Sequence, residues 1–137
     1  MTETAEIEDE DEAAATLEAL RARGVPVCID DFGAGAAAFR YLRRFRVDHV
    51  KIDGAYVRDA AAGERGRAFV AAMVDLSLAA GAEVTAEQVE TEAVAEVMRG
   101  LGVRYGQGWL FGRPGELPGA APAPRARRRG PAEDQWG

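Results

Sequence analysis

Strand and helix signals alternate along the chain, which predicts an α/β fold of parallel strands joined by crossover helices. Three observations carry this reading. Short apolar runs of strand length recur at residues 25–30, 47–52, 83–87 and 103–109. Helical patterns fall between them. Each run ends on polar side chains, and in α/β folds reactive groups gather at the carboxyl ends of the strands.

The bulk numbers bound the answer. At 137 residues the chain holds one domain at most. A hydrophobic content of 47% is enough to build a core. The net charge of -6 argues against general nucleic-acid binding. That charge is uneven, with acids crowded into residues 3–12 and Arg125, Arg127, Arg128 and Arg129 near the end. A single cysteine, Cys28, cannot make a disulfide framework and fits a reducing interior. No apolar run is long enough to span a membrane, and the acidic start is unlike a signal peptide. A cytoplasmic location is the expectation.

Taken in order, a helix is expected from about Asp11, its acidic first turn suiting the positive end of a helix dipole, with Gly24 as a left-handed stop. Residues 25–30 form the first strand, with Pro26 near its start, where a missing N–H is tolerable. Asp30 and Asp31 follow, then Phe32, Gly33, Ala34 and Gly35, a loop hinged by two glycines. Neighbouring carboxylates repel unless a cation lies between them. Because strands alternate faces, both aspartates can serve one site only if the strand is ending there.

Residues 36–45 read as a helix with Phe39 and Leu42 on one face, and 47–52 as the second strand, ending at Lys51, Ile52 and Asp53. Gly54 and the Ala-Ala-Gly run near Gly63 suggest a loop. A longer helix follows, with Phe69, Val70, Met73, Val74 and Ser77 on one side and Gly81 at its end. Residues 83–87 are the third strand. Thr91 is a good N-cap for a helix carrying Val94, Val97, Met98 and Leu101 at helical spacing. Residues 103–109 form the fourth extended piece. From Gly115 the composition turns to Pro, Ala, Gly and Arg, so residues 115–137 read as a disordered tail.

Four successive strand ends therefore offer Asp30 and Asp31, then Lys51, then Glu87 with Glu90 just beyond, then Gln107. Each alone would pass as a surface group. Together on one rim they suit hydrolysis of a phosphate ester: carboxylates hold hard divalent cations, and an ammonium neutralises phosphate charge.

Several motifs then carry a resemblance. Asp-Asp-Phe-Gly-Ala-Gly (30–35), Tyr-Leu-Arg-Arg (41–44), Val-Asp-His-Val-Lys-Ile-Asp (47–53), Ala-Glu-Gln-Val-Glu-Thr (86–91) and Tyr-Gly-Gln-Gly-Trp-Leu-Phe-Gly-Arg-Pro (105–114) resemble the C-terminal half of an EAL domain. That family comprises bacterial cyclic-di-GMP phosphodiesterases built as a TIM-like (β/α) barrel, which linearise the cyclic dinucleotide with Mg2+ or Mn2+. The resemblance implies a partial barrel over residues 1–114, cyclic-di-GMP as ligand, and a homodimer or a complementing N-terminal half as partner. It implies Asp30 and Asp31 as metal ligands, Lys51 beside the attacking water and phosphate, and Glu87 as metal ligand and general base. Gln107 and Glu90 would support the site. Phe32, Gly33 and Gly35 would form the loop coupling substrate, metal and dimerisation, and Glu3 would support that loop.

The departures matter too. The family's Glu-Ala-Leu strand and further metal ligands have no counterpart here, so weak or absent hydrolysis is expected of this chain alone. Gln88 stands at a usual glycine, and Ala36, Ala37 and Ala38 replace the usual Tyr-Ser-Ser. A non-catalytic dimerisation or signalling module derived from the family is the alternative. A phosphoacceptor receiver also has an early acidic pair, but Lys51 comes too early for one and Tyr105-Gly106-Gln107-Gly108 has no place in it.

Overall fold

The computed structural model describes residues 9–115. Nine elements run in the order α1 (Glu10–Ala22), β1 (Cys28–Phe32), α2 (Ala38–Arg44), β2 (His49–Ile52), α3 (Gly54–Ala62), α4 (Glu64–Ala79), β3 (Glu83–Ala86), α5 (Glu92–Gly100) and β4 (Tyr105–Gly106). All strand pairings are parallel, in the order β1-β2-β3-β4. Strands laid down in sequence order with right-handed crossovers keep every connecting helix on one face of the sheet. The α/β expectation with four parallel strands is thus met.

Burial follows from that one-sided layering. Ile29, Phe32, Val50, Ile52, Val84 and Ala86 face the helices and are buried against Tyr41, Val57, Val70, Met73, Val74 and Met98. The alternate strand residues, Cys28, Asp30, His49, Lys51, Glu83 and Thr85, turn to the other, concave face and are only half-buried.

Helix α1 is started by Asp9, whose carboxylate accepts from the amides of Asp11 and Glu12 at 3.1 and 2.9 Å. It is fastened at its far end by Arg21 to Asp48, which also accepts the Val27 amide at 2.7 Å. Gly24, at φ 79°, provides the expected left-handed stop.

Several boundaries differ from the sequence reading. Strand β1 begins at Cys28 rather than at residue 25 and runs on to Phe32, because Pro26 offers no donor and pairing starts beyond it. Helix α3 occupies what reads as loop: its glycine flanks lie at the first helical position and at the C-cap, while Asp53 caps it by accepting the Ala55 amide at 2.8 Å. Helix α4 accordingly starts at Glu64, and its buried stripe is Val70, Met73, Val74 and Ser77 with Phe69 exposed. In α2 the buried face is Ala38, Tyr41 and Leu42; Phe39 is exposed on its outer side and packs on the Phe32 ring with planes tilted by 60° and 5.0 Å between centroids. The fourth extended piece pairs only through Tyr105 and Gly106. The expected tail lies, but for Gly115, outside the described residues, as does Glu3.

Candidate metal centre

Three backbone hydrogen bonds level the strand ends onto one rim. The Asp53 amide donates to the Phe32 carbonyl at 3.2 Å, Glu87 to Ile52 at 3.1 Å and Gln107 to Ala86 at 2.8 Å. Each strand's last carbonyl is thereby read by the first residue beyond the next strand, so β1 to β4 finish side by side.

At the end of β1 the alternation breaks. The pairing with β2 shifts between Ile29 and Phe32, and Asp31 takes a left-handed backbone at φ 53°. An irregularity of this kind re-aims side chains. The consequence is that Asp30 and Asp31, which a regular strand would send to opposite faces, both reach the concave side. Each carboxylate offers an oxygen within 4.8 Å of the other and of an oxygen of Glu87. Left-handed backbone on a residue with a side chain is unfavourable and is retained where a site needs it. Gly33, at φ 104°, completes the turn; a Cβ there would come within 2.6 Å of the Tyr56 ring, so only glycine lets the loop lie against α3. Gly35 lies in the bend that follows.

Lys51 stands between the acids. Its ammonium is 3.1 Å from Asp30 Oδ1 and 2.5 Å from Glu87 Oε1. Burial works to lower its pKa, but the hydrogen bonds to Glu87 and Asp30 outweigh burial and hold it above the ordinary lysine value. The ammonium therefore stays charged across the neutral range. Below it on the same face, burial and the Asp30 charge push the Cys28 thiol upward, which keeps it protonated.

The donor set suits a hard divalent cation. Three carboxylate oxygens from two strand ends are the ligand type that hard divalent cations take. Asp53, at the same rim, is spent on capping α3. Gln107 and Glu90 do not join the three-carboxylate cluster. They line, with Glu87, a cavity of about 770 Å³ whose other walls include Gln88, Trp109, Phe111 and Arg113. Trp109 is largely exposed, and the Arg113 guanidinium lies 4.8 Å from its ring centre. Sequence reasoning took residues 105–114 for a motif but missed that its aromatic and arginine side chains wall this cavity. Adjacency to Gln107 was the available signal.

Comparison with known proteins agrees with this architecture. The EAL domain profile matches residues 1–114. The cyclic di-GMP phosphodiesterase PdeB of Shewanella oneidensis is 37% identical over 117 residues, which is 85% of this chain and 14% of PdeB. The c-di-GMP complex of the PaMucR phosphodiesterase superposes with a TM-score of 0.74 at 38% identity, covering 83% of this chain and 46% of that one. The EAL domain of Mycobacterium smegmatis DcpA gives 0.78 at 34% identity, over 82% of this chain and 51% of that one. The chain thus spans a small part of the curated relative and about half of each solved EAL structure. With its profile match, its half-share of a TIM-like barrel and its motifs in register on one rim, this chain belongs to the EAL domain family.

Proposed function

We propose that this chain supplies the Asp-Asp, Lys, Glu and Gln part of a cyclic-di-GMP phosphodiesterase site. The observation that carries the reading is the meeting of Asp30, Asp31 and Glu87 within 4.8 Å, with Lys51 between Asp30 and Glu87. Those three carboxylates would hold a divalent cation, Mg2+ or Mn2+. Such a cation supplies Lewis-acid stabilisation of the phosphate and an activated water.

The chain's own residues do the rest. Glu87 would accept the proton of a water molecule attacking phosphorus, as the new P–O bond forms, the ester P–O bond breaks and the departing ester oxygen takes up a proton. The Lys51 ammonium offsets charge building on the phosphoryl oxygens. Gln107 and Glu90 offer an amide and a carboxylate to the dinucleotide from the cavity wall. The Phe32–Gly35 loop beside Asp31 lies against α3, where Gly33 meets the Tyr56 ring.

Among the described residues, β1 and β4 are the edges of an open sheet, and unpaired edges of this kind accept further strands. We infer that the edges are closed by strands completing the barrel, and that the 137-residue chain by itself turns over weakly. Hydrolysis of cyclic-di-GMP by the purified chain, with Mg2+ and with Mn2+, tests this. Slow metal-dependent linearisation supports it; robust turnover sinks the closure requirement. Calorimetry that detects neither metal nor cyclic-di-GMP binding favours the non-catalytic interaction module. No described helix is long and apolar enough to cross a membrane, and a cytoplasmic setting suits the single, half-buried thiol of Cys28.

A further inference from the structure

Glu87 heads a short segment, residues 87–90, that must be held still if its carboxylate is to meet Asp30, Asp31 and Lys51. One flank of that segment is visibly braced. Val89 is buried, its amide donates to the Gln107 carbonyl at 3.0 Å, and its own carbonyl accepts the Leu110 amide at 3.1 Å. Gly108 lies so close that a Cβ would come within 2.3 Å of the Val89 backbone.

The other flank faces α3, and the contact there is made by Gln88. This residue has φ 54°, a left-handed backbone that a side chain disfavours. Its side chain is not idle. The amide carbonyl accepts a hydrogen bond from Arg58 on α3. The same side chain lies on buried Gly54, where an added Cβ would come within 2.3 Å of Gln88 Cδ. Gly54 directly follows Asp53, and so sits two peptides beyond Ile52 and three beyond Lys51. A contact from Gln88 to Gly54 and Arg58 therefore ties the peptide after Glu87 to the helix that continues from the lysine strand.

We propose that Gln88, Arg58 and the bare backbone of Gly54 form a latch that positions Glu87 relative to Lys51 and the two aspartates. The proposal rests on the metal-site reading above and deepens it by naming positioning residues for the same centre. Gln88 stands on the cavity wall, but its side-chain carbonyl is taken up by Arg58, so the pair acts through Glu87.

The discriminating variant is Gly54→Ala. Its methyl would displace the flexible end of Gln88 rather than backbone, while alanine is the better helix former at that position. A residue pair with a purely structural role would show stability and loop order falling together. The latch predicts that thermal stability of Gly54→Ala holds or rises while residues 87–90 loosen.

Amide hydrogen exchange on the full chain reads this. In Gly54→Ala and in Arg58→Ala, the Gln88 and Val89 amides should exchange about fivefold faster, with Val50 and Ile52 unchanged. Arg58→Lys, which keeps a donor, should restore most of the protection. A second arm titrates Mn2+, and both alanine variants should bind it about threefold more weakly than wild type. Exchange at Gln88 and Val89 within twofold of wild type in both variants overturns the latch. Faster exchange with unchanged Mn2+ affinity overturns its positioning role. If wild type binds no Mn2+, the metal-site reading fails instead, and the exchange arm alone decides whether the latch exists.

Discussion

Neighbouring residues of a single strand tell the two faces of this sheet apart. Ile52 points to the helices and is fully buried, whereas Lys51 points the other way and keeps 24% of its side chain in water. The same holds for Ile29 against Asp30 and for Ala86 against Glu87. On the helix side the contacts are apolar except at Ser77, whose buried hydroxyl donates to the Met73 carbonyl. On the concave side the residues are half-covered, and Lys51 pairs there with Asp30 and Glu87. The difference teaches where each kind of change should register: stability belongs to one face and ligand chemistry to the other.

The largest effect should come from the covered face. Ile52→Ala removes a fully buried side chain, and deletions of this type cost about 2–5 kcal/mol. Denaturant unfolding should show that loss, and a cost under about 1 kcal/mol would break the division between faces. Next comes the concave face. Asp31→Asn removes one of three clustered carboxylates, and asparagine tolerates the left-handed backbone found there. Mn2+ affinity should fall about tenfold or more with the melting temperature unchanged; unaltered binding would remove Asp31 from the cluster's work.

The two rims sharpen the comparison further. Asp48, at the amino-terminal end of β2, has its carboxylate satisfied by the Val27 amide and Arg21, and these hold its pKa below the usual 3.8. A depressed carboxyl pKa stabilises the fold above the unfolded value, and that contribution is lost as pH falls through the folded one. Asp48→Asn should therefore lower stability at neutral pH by less than Ile52→Ala does. Its deficit should shrink as acid takes the wild type below 3.8. A deficit independent of pH would mean that the charge contributes nothing.

Lys51→Met should give the smallest stability change, about 1 kcal/mol or less for a partly exposed ion pair. Its sign runs the other way. A raised lysine pKa stabilises below the unfolded value of about 10.5, and the contribution disappears as pH rises through the folded value. The wild-type advantage over the variant should thus persist at neutral pH and fade in strong alkali. Phosphodiester hydrolysis by the completed site should nonetheless be lost in Lys51→Met.

Much of this was legible in the chain because local chemistry dictates it. The apolar runs at Val50, Ile52, Val84 and Ala86 have the length and pattern of strands in a covered sheet, and Thr91 does cap α5. Helix α3 was hidden because glycines and small residues have the composition of a loop; only packing of Val57 and Ala60 into the core makes them helical. Helical spacing groups Phe39 with Leu42 and Phe69 with Val70, yet a helix buries only the face its neighbours cover, and both rings lie outside it.

Residue order by itself determined the strand–helix alternation, the position of each polar group at a strand end and the motifs that mark the family, since these depend on spacing and side-chain type. Folding in three dimensions decided what those groups do together. The pairing shift and left-handed turn at Asp31 bring two aspartates to one face, and Gln88 reaches across to Arg58. Such convergence joins segments distant along the chain, and only the register of neighbouring strands and helices sets the distances between them.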